Sequence, residues 1–178
     1  DNYKLIDVAK KHDVKLTLSL FIGVPSIDFE EQFYPTIDLI LYALKTKKNN
    51  DAYLLNFTPY PGAPSFDLCV KYGWKPSETL EGWVNFDLDT ANMPWVTKRQ
   101  AQLVDMIHTT YILRFLTGRY KEYIESQIKG PFKYPAKLLH HVFYTAADFR
   151  LKRRFFHFPV EYYLIKGAKY ISRKRKRL

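Results

Sequence analysis

The sequence predicts an α/β fold with parallel strands, followed by a mostly helical basic extension. Three observations predict it. Helix-like and strand-like patterns alternate over the first 70 residues or so. The connection between the two strand-like runs is long and itself helical. Net positive charge is confined to the C-terminal part: residues 131–178 carry 13 Lys/Arg against 2 acidic residues, whereas residues 1–130 carry 15 against 16. The 178 residues suffice for one domain with an appendage, and 47% hydrophobic content supplies a core.

Residues 3–12 (YKLIDVAKKH) place Leu5, Val8 and Ala9 on one helical face, and Asp13 begins a turn. The run KLTLSLFI (15–22) alternates. Leu16, Leu18, Leu20 and Ile22 point one way, and Thr17, Ser19 and Phe21 the other. Both sides read as too apolar for water, so this strand is expected to be covered on both faces. GVPS breaks it. Asp28 with Glu31 three residues on marks a helix start. Phe29, Phe33, Ile37, Ile40, Leu41 and Leu44 then recur at helical spacing, with Pro35 expected to kink that helix or restart it. After the polar KTKKNND comes a second strand, AYLLNFT (52–58). A helical connection of this length calls for parallel strands and a right-handed crossover.

The second strand empties into PYPGAPS, where Pro64 suits the first turn of a short helix. Residues 73–97 are turn-rich and carry Trp74, Trp83 and Trp95, which reads as an ordered excursion pinned by aromatics. Thr97 with Gln100 is a capping-box pair. A long helix should follow with Val104, Ile107, Tyr111 and Phe115 buried, interrupted at Gly118 and ended at Gly130. From Pro131 onward two helical patterns flank Pro159. The expected division is 1–72, 73–130 and 131–178.

Several function classes are excluded. Cys69 is the single cysteine, so there is no internal disulfide framework and no all-cysteine metal site. It reads as a small packed helix residue. No run of 18 apolar residues predicts a membrane span, and DNYKLIDVAKKHD has no apolar leader core. A chain opening on Asp and entering a helix at once reads as cut from a larger protein. His140 and His141 are adjacent and point to different helix faces, so they do not form an i, i+4 metal pair. GxSxG and GxxxxGK[ST] are absent. Asp28, Glu30 and Glu31 suit a charged first helical turn better than a carboxylate pair. No catalytic or metal-ligating residue is assigned.

The two strands end in FIGVPS and NFTPYPG. In a βαβ unit both loops lie at the carboxyl edge of the sheet, where open α/β sheets and barrels bind ligands. Glycine there lets a ligand approach the backbone. LFIGVPSIDFEE (20–31) and TPYPGAPSFDL (58–68), followed by WVNFD (83–87), resemble the last third of a radical S-adenosylmethionine enzyme, in the branch that carries a cobalamin-binding domain. The resemblance covers about residues 3–120. It implies the C-terminal strands and helices of a partial (βα)6 barrel holding the adenosine part of S-adenosylmethionine. It makes Phe21 and Gly23 adenine-contacting positions, with Asn56, Phe57 and Thr58 opposite. It further implies a [4Fe–4S] cluster, and cobalamin, in a full-length parent. The family's glycine and glutamate after the proline are Ser26 and Ile27 here, and its CxxxCxxC motif is missing. Three thiolates must hold that cluster, so this segment alone is expected to be inactive and to bind none of these groups.

The tail gives an alternative from a different class, a non-catalytic basic module. FRLKRRFFHF and KYISRKRKRL mix cations with aromatics, and residues 150–178 fit an anionic membrane surface, or less well nucleic acid. The partners expected are the upstream part of the same polypeptide, a small-molecule or lipid-like substrate, and that membrane surface. The expected location is the cytoplasm, peripheral at the membrane.

Overall fold

The computed structural model describes residues 2–25, 27–84 and 93–175. It is an α/β structure with a single two-stranded parallel sheet among the described residues. The order is α1 (Asn2–Lys11), β1 (Thr17–Ile22), α2 (Phe29–Thr46), β2 (Asp51–Asn56), α3 (Pro64–Lys71), α4 (Leu80–Val84), α5 (Lys98–Met106), a π-helical continuation (Ile107–Leu116), α6 (Gly118–Gln127), a 3₁₀ turn (Gly130–Phe132), α7 (Lys133–Arg153) and α8 (Val160–Arg175). The alternation of helix and strand, the parallel pairing and the break before α8 at Pro159 agree with the sequence.

α1 turns Ile6 and Ala9 inward, against Leu39 and Ala43 of α2, while Leu5 and Val8 are exposed. The expected face is therefore rotated. Tyr3 and Asp7 meet Tyr42 of α2 beside that contact, and Leu5 and Val8 point away from it. Asp13 adopts a left-handed conformation (φ 56°) and closes the helix. Asn50, buried, then fixes the start of both strands. Its Oδ1 accepts from the Leu16 N–H at 2.9 Å, and its Nδ2 donates to the Ala43 carbonyl at 2.9 Å.

The strand register is Thr17↔Asp51 through Ile22↔Asn56. Side chains at paired positions share a face. Leu18, Leu20 and Ile22 therefore stand with Ala52, Leu54 and Asn56, and Thr17, Ser19 and Phe21 with Asp51, Tyr53 and Leu55. The first of these faces enters the core with Phe33, Ile37 and Ile40 of α2. The second is open along β1, where Thr17, Ser19 and Phe21 are all exposed. Cover on both faces of β1 is thus overturned. α5 and its continuation pack along β2. Tyr53, on the open side, meets the His108 ring at 5.9 Å.

Asp28 caps α2, accepting from the Glu30 N–H at 2.8 Å. Pro35 does not restart this helix. It lies inside a continuous 18-residue run. Pro35 and Glu31 are both exposed, so solvent replaces the N–H that proline lacks. Pro64 opens α3, and Thr97 with Gln100 forms the complete capping box of α5. The predicted face Val104, Ile107, Tyr111 and Phe115 is buried. Over Ile107–Leu116 the helix widens to π winding, closed by the Thr117 N–H on the Ile112 carbonyl at 3.0 Å. Thr117 is extended (φ −74°, ψ 149°), so the break falls there and Gly118 begins α6. Gly130 (φ 70°) lies beyond the end of α6 and starts the 3₁₀ turn before Pro131.

α7 and α8 join this core rather than forming a detached tail. Ala147 and Leu151 are fully buried in it. Arg150 bonds Glu161 at 2.5 Å and donates to the His157 and Phe158 carbonyls at 2.8 and 3.0 Å, which ties the turn between the two helices. Arg154 lies 4.3 Å over the Tyr34 ring and 3.4 Å from Asp38. Two of the cations expected on a docking surface are therefore engaged within the chain, Arg150 largely buried and Arg154 at the surface. No helix of the described residues is long and apolar enough to cross a membrane.

Candidate functional site

Both strand-end loops lie at the carboxyl edge of the sheet, as the parallel pairing requires. The loop after β1 is held by one side chain. Gln32, one turn into α2, accepts from the Gly23 and Val24 N–H groups at 3.1 and 2.9 Å. Its amide donates to the Val24 and Ile27 carbonyls at 2.9 and 2.8 Å. The Gly23 carbonyl accepts from Trp95 Nε1 at 2.8 Å. Gly23 needs to be glycine twice over: φ is +90°, and a Cβ would sit 2.8 Å from Val96 Cγ2.

The loop after β2 extends the ladder by one residue, through the Phe57 N–H on the Ile22 carbonyl at 2.7 Å. Thr58 and Pro59 are buried, Tyr60 is exposed, and Gly62 turns the chain at φ +85° into α3. Beneath this loop sits a second apolar cluster: Cys69, Trp74 and Met93 buried, with Phe57, Phe66, Trp83, Trp95 and Val96 packed on it. The aromatics of the excursion do pin it. Asn85, Phe86 and Asp87 of the WVNFD match lie outside the described residues. Burial pushes the Cys69 thiol up, away from the reactive thiolate.

The five predicted positions do not converge on one surface. Phe21, 47% exposed, stands on the open face beside Leu55. Asn56 pairs with Ile22 and so stands on the opposite face from Phe21. Phe21 and Asn56 therefore do not share one lining, because the register is offset by one residue from the one that would join them. Gly23 has both backbone polar groups engaged. Phe57 packs into the aromatic cluster, and Thr58 is buried with its hydroxyl 3.5 Å from the Asn56 carbonyl. Asn56 borders a groove of about 500 Å³ with Leu54, Gln102, Asp105 and His108. A larger cleft, about 730 Å³, opens between α2, α5 and the α7–α8 turn and contains none of the five.

Gln32 and Trp95 escaped the sequence reading as loop-holding residues. Nothing in the spacing of Gln32 marks it. Trp95 was legible as an anchor, but not its partner. Among the described residues no group of three or more His, Cys, Asp or Glu is placed to hold a metal ion. No protein-family model, curated protein or solved structure matches the chain.

Proposed function

We propose that this chain is the C-terminal part of a radical S-adenosylmethionine enzyme of the cobalamin-associated branch, and that its two strands close one side of a partial (βα)6 barrel. One observation carries this reading. α1 and α2 pack on one side of the sheet, and on the other side α5 and its continuation lie along β2 while Thr17, Ser19 and Phe21 of β1 stay exposed. Further parallel strands upstream would turn that open face of β1 into a lumen wall. The free edge of β1 offers the backbone groups to receive them. In this assembly the rigid loop after β1 sets the height of the lumen wall, and Phe21 presents an aromatic face to an adenine ring. Gly23 contributes shape. Phe57 and Thr58 act from behind the wall, and Asn56 sits on its outer side.

The cluster and any cobalamin belong to upstream residues in this reading. The chemistry they supply is reductive cleavage of S-adenosylmethionine to a 5′-deoxyadenosyl radical. The present residues shape and shield the adenosine end.

Anaerobic titration of S-adenosylmethionine into the native polypeptide tests the proposal. Binding is expected, and Phe21→Ala should weaken it about tenfold without moving the unfolding transition, since Phe21 is exposed. Failure of the native polypeptide to bind S-adenosylmethionine defeats the proposal and leaves the non-catalytic basic module.

A further inference from the structure

The outer face of α7 carries large apolar side chains, interrupted by Thr145, where a helix seated on a core ordinarily turns polar residues to water. Tyr134, Leu138, Val142 and Phe149 are 81%, 66%, 54% and 56% exposed. Their spacing of four, four and seven lays them in one stripe, about 22 Å long at the rise of an α-helix. The opposite face of the same helix, Ala147 and Leu151, is buried in the core. α7 is thus apolar on two sides, and only one of them is covered within the described residues. At its C-terminal end the turn into α8 adds Phe155 and Phe158, both exposed.

Charge selects the occupant. The segment 131–178 has 13 Lys/Arg and only Asp148 and Glu161 as acids. Both acids are engaged within the fold, Asp148 with Lys152 at 2.6 Å and Glu161 with Arg150 and Tyr111. Arg153 is exposed one turn beyond Phe149, and the sequence after it reads KGAKYISRKRKRL from Lys166. An apolar stripe with cations and no opposing carboxylate complements an anionic headgroup layer over a hydrocarbon edge. Nucleic acid fits less well, because Leu138 and Val142 have no ring to stack on a base. A second copy meeting α7 against α7 would bring two strongly basic segments together.

We infer that the outer face of α7 docks in the plane of an anionic bilayer, Tyr134, Leu138, Val142 and Phe149 entering the headgroup boundary while Arg153, exposed one turn beyond Phe149, meets the lipid charge. The docking face lies N-terminal to the 150–178 surface expected from sequence, since Arg150 is held by Glu161 and Arg154 is paired with Asp38 and Tyr34. The inference is independent of the S-adenosylmethionine reading.

The test is flotation of the native polypeptide with vesicles of phosphatidylcholine alone, and with phosphatidylglycerol added. It should bind the anionic vesicles and not the zwitterionic ones, and raised salt should weaken binding. The double variant Leu138→Ser, Phe149→Ser should lower partitioning about tenfold or more with an unchanged unfolding transition. Arg153→Gln should lower it less. Absence of binding to anionic vesicles overturns the inference, as does equal binding by the double variant. Size-exclusion chromatography supplies a further check. A dimer that the double variant dissolves would assign the stripe to a second copy and overturn the membrane reading.

Discussion

Trp95 donates its indole N–H to the Gly23 carbonyl at 2.8 Å across 72 residues of chain. Trp95, just before α5, is therefore fastened to the end of β1, and it packs in the same aromatic cluster as Phe57 after β2. Removing the donor with Trp95→Phe should cost about 0.5–1.5 kcal/mol, read as a shift of the urea midpoint. Loss of the midpoint shift would mean that this bond does not hold the loop.

Gly23 sets a sharper test of the same geometry. Gly23→Ala places a Cβ 2.8 Å from Val96 Cγ2 at a φ of +90°, and more than about 1 kcal/mol of stability should be lost. Val96→Ala in the same chain should recover the steric part of that loss and not the dihedral part. A double-mutant cycle with no coupling would contradict the packing described.

Gln32 satisfies four backbone groups of the loop with one amide. Gln32→Ala should destabilise by about 1–3 kcal/mol and raise hydrogen exchange at Val24. Gln32→Glu keeps the acceptor but turns a carboxylate oxygen on the Val24 and Ile27 carbonyls, so it should destabilise at least as much as Gln32→Ala.

The core ends of the tail are joined by Tyr111, whose hydroxyl donates to Glu161 Oε1 at 2.8 Å while Arg150 holds the same carboxylate. Burial first, then the Glu161 hydrogen bond, holds the Tyr111 phenol well above the usual tyrosine range. A phenol raised in the fold stabilises it fully below the unfolded value of about 10, and that contribution is lost as pH rises beyond it. Stability should thus decline on the alkaline side, and Tyr111→Phe should flatten that decline. Arg150→Met, which strips Glu161 of its ion partner, should cost about 3–5 kcal/mol.

Local signals in the sequence were read well. Asp28, Thr97 with Gln100, and Pro64 each act within a few residues of themselves, and all three start the helices expected of them. The buried face of Val104, Ile107, Tyr111 and Phe115 followed from period alone. What escaped was non-local. Leu5 and Val8 look as apolar as Ile6, and only the position of α2 decides which is covered. The single-sided cover of β1 depends on where α5 lies. The pairing of Ile22 with Asn56 sets which loop residues face together, and alternation within one strand carries no information about its neighbour's register. Arg150 and Arg154 looked like surface charge because their partners, Glu161 and Asp38, are fixed by tertiary packing. For the same reason the five candidate site residues were found as a sequence neighbourhood and then divided between the two sides of the sheet.

The most direct measurement of the central claim is the iron and acid-labile sulfide content of the anaerobically reconstituted native polypeptide, together with its sequence upstream of Asp1. The account predicts a CxxxCxxC motif upstream and about four irons and four sulfides per chain, with 5′-deoxyadenosine released on reduction in the presence of S-adenosylmethionine. A native chain with no such motif and no bound iron would contradict it.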